Sequence, residues 1–344
     1  MCDRLLSSRW ACAAFANISF PFFRSRSGVN PLVVYYHLVS DNEVPHVSNL
    51  YMFRSVSEFK RDMDVLLRFF HPVSLQDFLL SLDGQQELPK NSFLLTFDDG
   101  LVECYEIIAP ILKQKGIPAT FLLCSAFVDN KQLSYDGKKS LLVGLIKGGK
   151  LTSPEEANVH ALLKEADILE LDLVVALLSV AHRNRFVLDQ IAEALNYDFA
   201  TYLKTAQPYL TSDQGIELLK MGHSLGAHSI DHPCYQDLSV AEQICQTRES
   251  VRFVKEQFSL EYGAFAFPYS DANVAKRFFW EVFEKSVGVD VCFGNHGLLA
   301  DSVPRNVQRA AMEKTWMPAE AILGMSFARR FAKSIIGQLQ IARP

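Results

Sequence analysis

From residue 93 to residue 124 the chain runs out of an apolar, β-rich stretch straight into Asp98-Asp99-Gly100. It then passes through a helical stretch into a second apolar run. The spacing predicts a helix over about residues 102–115, stopped by Gly116-Ile117-Pro118, with strands over residues 93–97 and 119–124 on either side. Two buried strands joined through one helix make a βαβ unit, which calls for a parallel sheet covered by helices. In such sheets functional side chains collect at the carboxyl ends of the strands, and Asp98 and Asp99 stand at such an end.

The same rhythm recurs along most of the chain. Leu32-Val33-Val34-Tyr35-Tyr36-His37, bounded by Pro31, suits a buried parallel strand. From Ser57 onward, Phe59, Met63, Leu66, Leu67 and Phe70 fall at helical spacing behind a serine cap. Further on, helices over 212–221, 240–258 and 274–285 alternate with strands over 224–227, 264–267 and 289–293. Between them, residues 129–206 read as helical, and Ser153-Pro154-Glu155-Glu156 opens one helix as cap, proline and acid. The division expected is an N-terminal extension over 1–30, an α/β unit over 31–128 and 207–315, a helical insertion over 129–206, and a C-terminal helical tail over 316–344. The length accommodates one closed barrel plus an insertion, or two domains.

Composition removes some classes of function. With 49% hydrophobic and 21% charged residues the chain can bury a large core, and its net charge of −5 offers no long-range attraction to nucleic acid. Cys2, Cys12, Cys104, Cys124, Cys234, Cys245 and Cys292 form no CxxC pair, and their odd number points to a reducing compartment. Residues 10–23 lean apolar, but Asn17, Ser19 and Pro21 interrupt them, and Arg4, Arg9, Arg24 and Arg26 flank them. That stretch is too short to span a bilayer and lacks the form of a signal peptide. A cytoplasmic protein is expected, with peripheral membrane contact as the alternative. Nothing in the sequence speaks to oligomeric state.

Three segments carry the chemistry. Asp98 and Asp99 repel one another, and a divalent cation relieves that best; as an isolated Asp-Asp-Gly the segment also reads as a solvated turn. Gly226-Ala227-His228-Ser229-Ile230-Asp231-His232-Pro233 carries two imidazoles four residues apart beyond a strand. That spacing suits one face of a helical turn that Pro233 ends, and imidazole with carboxylate suits zinc or its neighbours. Phe265-Ala266-Phe267-Pro268-Tyr269-Ser270-Asp271 leaves another strand into a polar turn.

Taken in order, Thr96-Phe97-Asp98-Asp99-Gly100, His228-Ser229-x-x-His232 and Phe267-Pro268-Tyr269 resemble the first three motifs of the polysaccharide deacetylase (NodB-homology) domain of carbohydrate esterase family 4. Tyr35-Tyr36-His37-Leu38-Val39 and Gly116-Ile117-Pro118-Ala119-Thr120-Phe121 resemble its flanking segments, so the similarity covers about residues 31–128 and 209–310. The resemblance implies an α/β fold, a distorted (β/α)7-type barrel, and a hydrolase that removes acetyl groups from N-acetylated sugars. It implies that Asp99, His228 and His232 bind a divalent metal, Zn2+ first with Co2+, Mn2+, Ni2+ or Fe2+ as alternatives. Asp98 would be the general base, and the Pro268-Tyr269 segment, through the Tyr269 backbone N–H, would help hold the oxyanion. A carbohydrate would be the partner.

The sequence also departs from the family pattern. The arginine that in many members precedes the third motif and steadies the base is replaced by Ala264, Phe265 and Ala266. Arg305 and Arg309 are the candidates to substitute, against their plainer reading as surface cations. The later Leu-x-His motif that supplies the catalytic acid in the family has no clean counterpart. His296, between Asn295 and Gly297, is one candidate, and its structural reading is a turn residue. His37, at the end of the first strand, competes with it and could instead orient substrate. Cys234 reads as a small buried hydrophobe or an extra soft ligand, His223 as a turn residue, and His46, His71, His160 and His182 as surface or packing residues. Two rivals follow from these gaps: a NodB-like protein without turnover that binds glycan or assembles a complex, and a hydrolase of linear, non-sugar amides.

Overall fold

The computed structural model describes residues 20–149, 151–313 and 317–344. The readings made on residues 1–19, including Cys2 and Cys12, lie outside the described residues.

Seven parallel strands follow one another around the sheet: β1 (Leu32–Tyr36), β2 (Ser92–Phe97), β3 (Ala119–Leu123), β4 (Ser224–Ala227), β5 (Ala264–Ala266), β6 (Val291–Gly294) and β7 (Asn306–Gln308). A short β8 (Ala310–Ala311) pairs in parallel with β1, Val34 opposite Ala310 and Tyr35 opposite Ala311. Residues 306–308 therefore bond to β6 while residues 310–311 bond to β1, and the seam closes with Arg309 between the two halves. The fold is a distorted (β/α)7-type barrel.

Side chains alternate between the two faces of each strand. Leu32, Val34, Tyr36, Phe93, Leu95, Phe97, Phe121, Leu123, Phe265 and Phe267 face outward into the layer shared with the helices. Val33, Leu94, Leu122, Ala264, Ala266, Val291 and Phe293 form the other, inner cluster. Val73, Leu75, Phe78 and Leu79, at and beside the helix Leu75–Leu82, join this inner cluster. Asp98 continues the inner parity of Leu94 and Thr96 beyond β2, and His228 that of Gly226 beyond β4.

Local structure follows residue chemistry with small shifts from the sequence reading. The first outer helix, Val56–Phe69, is capped by Ser55 in a reciprocal box with Glu58 rather than by Ser57. In the insertion, Thr152 is the cap and Glu155 closes the box, one residue earlier than expected. After Asp99 the chain takes a π turn over Cys104–Ile108 before the helix Ala109–Lys115. Pro110 has no N–H to return to residue 106, and the widened turn accommodates it.

The insertion consists of helices Tyr135–Lys147, Ser153–Glu165, Leu173–Ser179, Val187–Ala194 and Phe199–Ala206. Leu142, Val143, Leu163, Leu177, Leu188 and Ile191 bury one another in a core of its own. A further cluster joins its Leu133 and Leu141 to Leu38, Leu101, Cys124 and Tyr209, around the carboxyl ends of the strands. The C-terminal helix Ala319–Ile335 is followed by a short strand, Gln340–Ile341, paired with Ala300–Asp301. No helix among the described residues is long and apolar enough to cross a membrane.

Gly226 lets β4 approach its neighbours two residues before His228. A Cβ there would lie 2.7 Å from Leu122 Cδ2 and 2.9 Å from the Ala264 carbonyl oxygen. Gly226→Ala is therefore expected to lower the unfolding free energy by about 1–3 kcal/mol, the usual range for overpacking, as read by denaturant unfolding.

Candidate active site

Asp98 and Asp99 diverge because the backbone turns between them. Asp98 continues the strand inward, whereas Asp99 takes a left-handed φ of 71° and Gly100 one of 69°. Asp98 is buried against Arg309: the two guanidinium nitrogens donate to its two oxygens at 2.7 Å each. Arg309, with no exposed surface, also donates to Thr96 Oγ1 and Asn295 Oδ1, and its guanidinium lies over the Tyr35 ring. Burial pushes the Asp98 carboxyl up, and the Arg309 guanidinium, helped by His228 and His37, brings it below the usual carboxylate range.

Asp99 faces two imidazoles. Its Oδ1 lies 3.4 Å from His228 Nε2 and 3.3 Å from His232 Nε2, and ligand atoms of the three residues lie within 4.8 Å of one another. The two rings do not share a helical turn. His228 sits at the end of β4, and the loop reaches His232 through left-handed Ser229 (φ 68°) and His232 (φ 63°), which bring the ring centroids to 5.1 Å. The sequence expectation of one helical face is thus corrected: two positive-φ residues do the folding back.

Each ring is oriented through its other nitrogen. His228 Nδ1 donates to the Ala266 carbonyl at 2.9 Å, and His232 Nδ1 faces Asp136 Oδ2 at 3.2 Å. A neutral ring that donates through Nδ1 keeps its Nε2 lone pair toward Asp99. Burial pushes the His232 imidazolium down, but Asp99 and Asp136 pull it up to about 10. Two carboxylates facing one ring demand positive charge, which a proton or a shared cation supplies.

The residues fit a divalent metal. Asp99 Oδ1 is buried and has no hydrogen-bond partner among the described residues, although two Nε2 atoms converge on it. Three nitrogen and oxygen donors of this kind suit zinc and its borderline neighbours and leave positions open for water and substrate.

These groups open on a cavity of about 690 Å³. Tyr35, His37, Tyr51, Tyr209, Tyr269 and Asn295 line it from the barrel side, and Ser134, Asp136, Lys139 and Leu178 from the insertion. His37 Nδ1 pairs with Glu313 Oε2 at 2.5 Å, while Glu313 Oε1 accepts from the His37 and Leu38 backbone N–H groups. Tyr269, left-handed at φ 53°, sets its ring 4.7 Å from that of His232.

The comparisons with known proteins agree with this geometry. The sequence model of the family described as Polysaccharide deacetylase matches residues 85–165, which contain Asp98 and Asp99. Over that segment the chain is similar to polysaccharide deacetylases. Among solved structures, the Streptococcus pyogenes deacetylase PplD, in complex with acetate, is 15% identical, with a TM-score of 0.54 over 86% of this chain and 98% of that chain. IcaB from Ammonifex degensii is 18% identical, with a TM-score of 0.52 over 86% of this chain and 97% of that one. At these identities the likeness speaks for the fold. No curated protein matches the chain.

Several residues of this deacetylase-like chain stand where the sequence did not lead. Arg309 reaches Asp98, whereas Arg305 pairs with Asp83 and the Asp290 carbonyl, away from the site. His296 is not among the residues that line the cavity; its Nδ1 is held at 2.8 Å by Asp271, which also accepts from Asn306 and Gln308. Neither Pro268 nor Cys234 lines the cavity. His223 is buried and accepts from the Ala119 amide. His46, read as ordinary, lines the cavity, and burial lowers its pKa to about 4. Glu313, Asp136, Lys139, Tyr51 and Asn295 escaped the sequence reading altogether. Only the acid in the first turn of a capped helix was a local signal for Asp136.

The Asp98–Arg309 pair yields a stability test. Arg309→Met strands a buried carboxylate, and loss of one partner of such a pair typically costs about 3–5 kcal/mol. Because the folded carboxyl is held below its usual range, this stability is present above the unfolded pKa of about 3.9 and is lost as pH falls through the folded value. The difference from wild type in denaturant unfolding should be full at neutral pH and shrink in acid.

Proposed function

We propose that this enzyme hydrolyses the acetamide of an N-acetylated sugar in a polysaccharide, oligosaccharide or glycan precursor, with a divalent metal held by Asp99, His228 and His232. The observation that carries the reading is the arrangement in one cavity of that triad beside Asp98, a carboxylate clamped by Arg309. A bound metal of this kind, with Zn2+ as first choice, supplies Lewis acidity and lowers the pKa of water.

The chain's own residues do the rest. Asp98, kept ionised and fixed in orientation by the bidentate guanidinium, accepts the proton of the attacking water. The Tyr269 backbone N–H stabilises charge on the acetyl oxygen, the role the family resemblance assigns it. His37, held by Glu313, gives its proton to the departing sugar nitrogen. Burial pushes the His37 imidazolium down, but Glu313 pulls it up to about 9, so it carries a proton at neutral pH. Acetate and a free amine leave. In this reading Arg309 and the His37–Glu313 pair fill the two gaps in the sequence motifs on which the rival, a protein that only binds glycan, rested.

Acetate release from N-acetylated oligosaccharides, with simple linear amides in the same panel, tests the assignment. A chelator should abolish release and added zinc restore it. Asp98→Asn should lower kcat by about 10²–10⁴-fold, the range of general-base catalysis, with metal content unchanged; undiminished turnover would falsify the base assignment.

The pH profile tests the acid. A histidine whose pKa is raised is protonated below that value, so kcat should fall as pH rises through the His37 pKa. Glu313→Gln removes the carboxylate that raises it while burial remains, and the alkaline limb should move to lower pH. An unmoved limb excludes His37 as the proton donor.

A further inference from the structure

We infer that the helical insertion is a working part of the metal centre, with Asp136 as the positioning residue that orients His232; the inference rests on the metal-centre reading above. Asp136 stands in the first turn of the helix Tyr135–Lys147, behind the Ser134 cap. Its Oδ2 faces His232 Nδ1 at 3.2 Å and accepts from the Tyr269 hydroxyl, which also meets the Tyr135 hydroxyl. Its Oδ1 pairs at 2.6 Å with Lys139, one turn further along the same helix. A single insertion carboxylate thus contacts both a metal-facing histidine and the tyrosine after Pro268.

A second tie flanks the first. His182, also in the insertion, meets Asp231 Oδ2 at 2.8 Å, and Asp231 immediately precedes His232. Gln246, on the barrel helix Val240–Phe258, holds the other Asp231 oxygen at 2.8 Å. The loop needs such support because Ser229 and His232 both occupy left-handed backbone conformations. The two histidines therefore draw on different sources: a barrel carbonyl, Ala266, orients His228, and the insertion orients His232. A carboxylate on the far nitrogen of a ligating imidazole fixes its tautomer and raises its basicity. Loss of such a partner usually weakens metal binding about 10–100-fold.

Zinc affinity of the full chain, measured by competition with a chromophoric chelator, and the visible spectrum of the Co2+ form test the inference. Asp136→Ala should raise the zinc Kd about 10–100-fold and perturb the Co2+ bands. Asp136→Asn, which keeps an acceptor for His232 but loses the charge, should fall between it and wild type. Asp189→Asn, which breaks the insertion's Lys138–Asp189 pair instead, should leave both readouts unchanged and so separates a general loosening of the insertion from a change at the metal. If Asp136→Ala does not fold, Asp136→Asn decides. A zinc Kd within twofold of wild type and an unaltered Co2+ spectrum in the folded Asp136 variants would overturn the inference while leaving the metal centre in place. Failure of the wild-type chain to take up either metal would overturn both.

Discussion

A guanidinium with no solvent contact has to find its charge and its hydrogen bonds inside the protein, and Arg309 does so at the seam of the barrel. The residues before it bond to β6 and those after it to β1. Its side chain meanwhile reaches Asp98 and Thr96 on and beyond β2, Asn295 just past β6, and the Tyr35 ring on β1. Closing the barrel and fixing the orientation of Asp98 are therefore the same structural event. An isolated buried carboxylate would recover its neutrality by taking up a proton. Beside Arg309 it stays an anion, which is the form a base requires.

The alternation of side chains along parallel strands explains why the site lies where it does. The inner face is apolar low in the barrel, with Val33, Leu94, Leu122 and Val291, and the same register continued upward delivers Thr96, Asp98 and His228. Asp99 would point to the opposite face if the strand continued. The left-handed turn at Asp99 and Gly100 redirects it toward the histidines. Adjacent carboxylates thereby enter separate environments, one matched to a guanidinium and the other to imidazoles. The repulsion expected of neighbouring acids is removed by geometry and counter-charge together.

What could be read from the sequence was local. Strands with buried faces, helices with capped starts, the Asp-Asp-Gly turn and the two histidines all announce themselves within a few residues, and the family resemblance ordered them. What could not be read was brought together by closure. Glu313 meets His37 across 276 positions of sequence, and Asp136 meets His232 across 96. No neighbour in sequence marks Glu313, and only the cap of its own helix marks Asp136. Arg309 was one of two candidates because the two arginines, four residues apart, share the same strand parity; the structure separates them by end, Arg305 preceding β7 and turning out to Asp83, Arg309 following it at the carboxyl end beside Asp98. A glycine-flanked histidine beyond a strand looks the same in sequence whether its ring faces a cavity or, as at His296, a buried carboxylate.

The insertion changes how substrate choice and site assembly relate. In a barrel whose loops only border the cleft, the rim can vary without touching the reaction centre. Here the segment that supplies Ser134, Lys139 and Leu178 to the cavity wall also supplies Asp136 to His232 and His182 to the loop that carries it. Its own core, built on Leu142, Leu163, Leu177 and Ile191, lets it hold those contacts as a packed unit. A change in the insertion that reshaped the cavity would therefore also move the support of one histidine, so the segment is constrained by the geometry of the site as well as by the shape of the cavity.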